Sequence, residues 1–101
     1  MVDHLFEALA NTYRRRLLVK LLTCAPQEAL PVPESLYEGE TGMEKIHTEI
    51  AHKHLPKLEE AGFIKWDRDA SVVMQGPQFE EIEPFVRLLH DHADELPNGW
   101  V

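Results

Sequence analysis

Residues 43–61 carry a sustained helical period that stops at Gly62 and is followed at once by two short β-rich runs. That succession leaves few folds open. Met43, His47, Ile50, Ala51, His54, Leu58 and Ala61 fall on one face of a helix turning about 100° per residue. Lys45, Thr48, Glu49 and His52 fall on the opposite face, with Lys53 at its edge. Pro56 interrupts the run and predicts a kink or a restart there. Gly62 is the residue type that ends helices. FIKW (63–66) and VVMQ (72–75) are strand candidates, and DRDAS between them suits a hairpin turn. Gly76-Pro77 then breaks the pattern.

Upstream, residues 3–10 predict a short helix with Leu5, Phe6 and Leu9 on one side. Asn11 is a good N-cap for a second helix whose apolar stripe is Leu17, Leu18, Leu21 and Leu22. Arg14, Arg15 and Arg16 stand in the first half of that helix, where its dipole disfavours cations. They therefore need partners, either acidic side chains or phosphates, and we expect one to point outward and one to be structural. Cys24 closes the leucine-rich segment and reads as a core thiol. Residues 25–42, with Pro26, Pro31, Pro33, Gly39 and Gly42, read as a long loop with one helical turn near 34–37.

The last segment, residues 79–96, is helical in pattern. Phe79, Ile82, Val86, Leu89, Ala93 and Leu96 recur at alternating steps of three and four, the a/d seam of a helix that packs on another helix. Pro84 predicts either a first-turn position or a helix that begins near Glu83.

A chain of 101 residues makes a single domain with a modest core, which dimerisation would supplement. The order helix, helix, loop, helix, hairpin, helix is that of a mainly α protein with a small β-hairpin, an α+β winged helix-turn-helix with an added C-terminal dimerisation helix. No apolar run is long enough to span a bilayer, and the N-terminus has no basic stretch of the secretory type. One cysteine permits no internal disulfide, so a cytoplasmic location is expected.

The formal charge of −8 weighs against nucleic acid when taken alone. Its distribution qualifies this. Residues 44–68 hold five basic and five acidic groups with three histidines, whereas residues 69–101 hold one basic and seven acidic. The acid is concentrated at the C-terminal end, and the middle of the chain is neutral.

Two blocks resemble a known family. LANTYRRRLL (9–18) is similar to the Leu-Ala-Asp-Pro-Thr-Arg-Arg-x-Ile-Leu opening of the second helix in ArsR-type repressors. HLPKLEEAGFI (54–64) resembles their His-Leu-x-x-Leu-x-x-Ala-Gly-Leu-Val, where the recognition helix passes into the first wing strand. HLPKLEEAGFIKWDRD, GPQFEEI and DELPNGW are most similar to the small haloarchaeal branch of these regulators. A halophilic origin fits the acidic surface, because repulsion is screened at molar salt where the Debye length is ~3 Å. Two departures stand out: the Pro-rich segment replaces the helix before the recognition helix, and residues 49–53 carry a glutamate instead of the usual Ser/Thr pair.

The resemblance implies a homodimeric, DNA-binding transcription regulator. Helix 43–61 would enter the major groove and the wing at 63–75 would meet backbone or minor groove. Lys45, Thr48, Glu49, His52, Lys53 and Lys57 are the helix candidates, because lysine can contact guanine, threonine either base edge, and glutamate the cytosine amino group. Arg68 at the wing tip and Arg15 are phosphate candidates. Each could instead belong to a solvated polar face or an internal ion pair. The dimer candidates are Leu5, Phe6 and Leu9 with the seam Phe79, Ile82, Val86, Leu89, Ala93 and Leu96.

His90-Asp91-His92 with Asp94 and Glu95 is rich in metal-ligand types, but neighbours two apart on a helix point about 200° apart. An acidic solvated face is the simpler reading, and no metal or cofactor is expected. His47 and His54 read as core histidines. No Gly-rich phosphate loop, serine nucleophile motif or apolar carboxylate pair appears, so no enzyme is expected. The alternative to DNA binding is a winged-helix protein-interaction module, with residues 25–42 as its partner site.

Overall fold

The structure is a computed structural model that describes residues 2–25, 27–33, 36 and 42–97. Helix α1 (Val2–Leu9) leads through a tight corner into α2 (Thr12–Leu22). Asn11 caps α2 as its sequence position predicts, its side-chain oxygen accepting from the backbone N–H of Tyr13 at 2.8 Å and of Arg14 at 3.3 Å. The inward face of α2 supplies Tyr13, Leu17, Leu18 and Leu21 to the core. Cys24 falls beyond the helix end and is half-buried, not a core thiol. Burial and the nearby Glu28 both push its thiol pKa up.

Strand β1 (Leu30–Pro31) lies within the stretch expected to be loop. It pairs antiparallel with β3 (Val72–Gln75), Leu30 facing Val73 and Pro31 facing Val72. β3 also pairs antiparallel with β2 (Ile64–Asp67), giving the sheet order β1-β3-β2. Pro31 cannot donate to a ladder, so it suits only an edge strand, and β1 is an edge. Two residues and two prolines hid this strand from sequence reading. The helical turn expected near 34–37 falls largely outside the described residues.

The segment expected as one kinked helix is three consecutive pieces: α3 (Met43–Glu49), a π-helical segment (Ile50–His54) and α4 (Leu55–Glu60). Pro56 explains the wide turn. It has no N–H for the carbonyl four residues back, and its ring crowds that carbonyl. A π turn opens the ladder instead, and the Leu55 N–H bonds to the Ile50 carbonyl. The extra residue in that turn shifts the apolar face. Ile50, His54 and Leu58 are buried as the period predicts, Ala51 is only half-buried, and Leu55 joins the core.

Gly62 (φ +82°) ends α4. Its N–H bonds to the Glu59 carbonyl at 2.9 Å and the Phe63 N–H bonds to the Leu58 carbonyl at 3.0 Å, the paired bonds of a Schellman cap. Gly76 packs against the same corner: a Cβ there would stand 2.4 Å from the Gly62 oxygen. The two glycines pinch the hairpin's base, so the chain enters and leaves the sheet at one point.

Helix α5 (Phe79–Asp91) packs across α2. Pro84 lies in its second turn, not its first, and the helix still starts at Phe79. One helix-interior proline costs ~3 kcal/mol, while each large apolar side chain buried contributes ~1.5–3 kcal/mol. Phe79, Ile82 and Val86 together outweigh it. The helix ends at Asp91, short of the expected Leu96, and a 3-10 turn (Ala93–Glu95) comes next. Leu96 precedes Pro97, which forces it into extended backbone (φ −91°, ψ 156°).

Candidate nucleic-acid interface

Along α3 and the π segment, Lys45, Thr48, His52 and Lys53 are exposed, and Glu49 is half-buried. The structure therefore presents four of the five residues assigned to the polar face and draws Glu49 partly inward. The face points away from the core because Ile50, His54, Leu55 and Leu58 anchor the opposite side. Helix α4 then runs through the Gly62 cap directly into β2, so the hairpin stands at the end of this helix.

The hairpin turn spans 68–71. The Asp67 carboxylate accepts from the Ala70 N–H at 3.0 Å, which rigidifies it, and Ser71 closes it in the left-handed region at φ 56°. Arg68 at the tip is held on two sides. Its Nη2 donates to Glu59 Oε1 at 3.1 Å, and its guanidinium lies 4.1 Å from the Trp66 ring centroid. Trp66 is thus partly a platform for the wing arginine and partly core packing. On α4, Lys57 is exposed and donates to the Glu7 carboxylate of α1, which lowers the Glu7 pKa.

Arg14 and Arg15 of α2 find partners among backbone carbonyls. Arg14 is 5 % exposed, and its Nη2 and Nε donate to the carbonyls of Glu7 at 2.9 Å and Ala8 at 3.2 Å. Arg15 donates to the Leu9 carbonyl at 2.7 Å and to the Thr12 hydroxyl at 3.2 Å. These are the last carbonyls of α1, the negative end of its dipole. Arg14 and Arg15 sit early in α2 because they cap the helix before it. Arg15, expected to contact phosphate, is engaged there, and Arg16 is half-buried.

Arg14 also reaches the candidate interface from behind. Its Nη1 lies 3.2 Å from His54 Nδ1, and the Tyr13 ring stacks on the imidazole at 5.3 Å between centroids. His54 is 1 % exposed, and burial, with Arg14 beside it, depresses its pKa to about 4. It is the satisfied core histidine the apolar face predicted. The side chain of His47 lies outside the described residues. The specific contact between Arg14 and His54 has no sequence signal beyond an unfavourably placed arginine and a histidine on an apolar face.

The residues expected at a dimer interface divide. Phe79, Ile82 and Val86 are enclosed in the chain's own core, leaving them no surface for a partner. Leu5, Leu9, Leu89 and Leu96 are half-buried, and Ala93 is exposed. Among the described residues, the large apolar side chains left in solvent are Phe6 (61 % exposed), Phe85 (40 %) and Leu88 (58 %). The seam was legible as a helix-packing signal, but the helix it packs on is α2.

Among the described residues no group of three or more His, Cys, Asp or Glu converges to hold a metal. His92 is paired with Glu95, Nδ1 to Oε2 at 2.5 Å. No described helix is long and apolar enough to cross a membrane. A shallow cleft of about 840 Å³ lies between α1, α4 and the start of α5, lined by His4, Glu7, Lys57, Glu60 and Glu81 among others.

By fold, then, the protein is a mixed α+β domain of helices around a small three-stranded antiparallel sheet. The chain belongs to the family described as domain of unknown function DUF7344, whose model matches residues 6–74, from α1 into β3. Helix α5 lies beyond the matched stretch. No curated protein and no solved structure matches the chain.

Proposed function

We propose that the protein is a winged helix-turn-helix transcription regulator of the ArsR type that binds double-stranded DNA as a homodimer. One observation carries the reading: an exposed row of Lys45, Thr48, His52 and Lys53 runs on a helical segment that leads through the short Gly62 turn into a hairpin tipped by Arg68. The sheet order β1-β3-β2, with β1 paired to the inner strand of the β2–β3 hairpin, supports the winged-helix plan. The helix would lie in the major groove, and Arg68 on the backbone or minor groove. Exposed Phe85 and Leu88 on α5 and Phe6 on α1 are the apolar surface we assign to dimerisation. The reading includes no catalytic role and no cofactor, and a cytoplasmic location.

The test is selection of the purified protein against randomised duplexes in high potassium chloride, with the bound fraction sequenced. A two-fold dimer should recover a pseudo-palindrome with half-sites ~34 Å apart. Substituting Lys45, His52 or Lys53 with Ala should then relax it. A second reading, a protein-interaction module, draws support from the acidic charge and from Lys57 and Arg68 being paired to the chain's own carboxylates. A folded dimer that recovers no motif favours that reading, and residues 25–42 become the first place to map a partner.

A further inference from the structure

We propose that Arg14 is a positioning residue for the DNA-facing helix, its guanidinium tying the end of α1 to His54 so that the exposed row on α3 and the π segment is held at one setting. This rests on the DNA-binding reading above.

The geometry makes the contact directional. A guanidinium has only N–H donors and no acceptor. With Arg14 Nη1 at 3.2 Å, His54 Nδ1 must present its lone pair, so the imidazole is neutral with its proton on Nε2. Two further donors of the same guanidinium are engaged by the Glu7 and Ala8 carbonyls. One planar group therefore spans two elements and holds both. A lysine could keep the charge but cannot make three fixed contacts from one plane. Tyr13, stacked on His54, restrains the imidazole from the α2 side.

The place of attachment gives the contact its consequence. His54 is the last residue of the π segment. Exchanging a π turn for an α turn rotates the helix on its N-terminal side by about 100° relative to the helix on its C-terminal side. Lys45, Thr48, His52 and Lys53 all precede His54, whereas Leu55 and Leu58 of α4 are locked in the core. A tether at His54 thus acts where the row's rotation is decided. Its other end is on α1, which carries Phe6 of the proposed dimer surface, so the joint also links the dimer side to the DNA side. The charged groups around His54 are Arg14 from α2 and Lys53 and Glu49 from its own helix.

The experiment compares the wild type with His54→Gln, His54→Leu and Arg14→Lys, each measured well below its melting transition. Affinity is read on the selected duplex and on a random-sequence duplex. In parallel, spin labels at cysteines replacing Asp3 and Lys45, in a Cys24→Ser background, report the distance between α1 and α3 without DNA. His54→Gln retains a neutral acceptor and should bind the selected duplex within about threefold of wild type. His54→Leu and Arg14→Lys should lose about tenfold or more, the scale of one misplaced base contact, with binding to random duplex unchanged. Their distance distributions should broaden. Wild-type affinity and unchanged distances in folded Arg14→Lys, or in His54→Leu, would overturn the proposal, since a purely stabilising residue lowers the melting temperature alone. Should the wild type select no sequence, the DNA reading fails, and the distances decide the joint by themselves: broadening upholds it and sameness removes it.

Discussion

Two pairs of basic side chains show opposite ways of housing a cation. Arg14 and Arg15 lie at the α1–α2 corner, bonded to backbone carbonyls and, for Arg14, to a neutral imidazole. Lys57 and Arg68 lie at the surface, paired with the carboxylates of Glu7 and Glu59. Inside, a carboxylate partner would mean desolvating a second charge, whereas carbonyls at a helix end already need donors. Burial lowers the Arg14 pKa, yet the helix end's partial negative charge and the carbonyl bonds keep the group suited to its site. Outside, both partners remain hydrated, so the pair contributes little to stability and exchanges easily. The inner cations are structural and fixed; the outer ones are held loosely enough to change partners.

The largest expected effect is at the inner site. Arg14→Met fills much of the volume but leaves two carbonyls and His54 Nδ1 without their donor. We expect a loss of about 4 kcal/mol, seen in urea titration, and a melting temperature lower by more than about 10 °C. A loss below about 1 kcal/mol would place this arginine with the surface cations and dissolve the contrast.

Acid titration probes the same joint. His54 is held near pKa 4 in the fold against an ordinary 6.5, so the unfolded chain binds the proton first. Its contribution is complete above pH 6.5, is lost as pH falls towards about 4, and changes no further below that. The span is on the order of 3 kcal/mol. The difference in stability between wild type and His54→Gln should therefore change between pH 7 and pH 4.5. Parallel pH profiles would show that His54 is not the acid-labile element.

The smallest effect on stability is expected outside. Glu59→Gln should alter it by less than about 1 kcal/mol. Under the DNA reading it frees Arg68 from the carboxylate, tightening binding at low salt and steepening the slope of log K against log salt by about 1. An unchanged slope would mean that Arg68 meets no phosphate.

Much of the fold was legible in local chemistry. Asn11 before α2, Gly62 after α4, and the β-rich runs flanking a polar turn are signals set by backbone geometry over a few residues, and each matches the structure. β1 was not legible, because a two-residue edge strand that itself contains a proline has no alternation to read. The end of α5 was misjudged because the heptad pattern continues past Asp91 while the backbone already leaves the α region at His92 (φ −113°, ψ 22°). At the candidate site, the exposed row followed from helical period, but the withdrawal of Glu49 and the burial of Leu55 did not. A π turn shifts register by one residue, and only packing reveals whether Pro56 is accommodated by a bend, a break or that extra residue.

The sequence by itself determined where the main helices and the β2–β3 hairpin begin and most of their apolar faces, because capping, turn geometry and burial periodicity act over a few neighbours. Tertiary structure alone decided what each apolar face and each cation meets. The seam of Phe79, Ile82 and Val86 looks the same whether its partner is another subunit or α2, and here it is α2. Arg14 and His54 are 40 residues apart, and their contact arises from how two helices cross. No local rule anticipates it, because the energy that sets it is shared by the whole core.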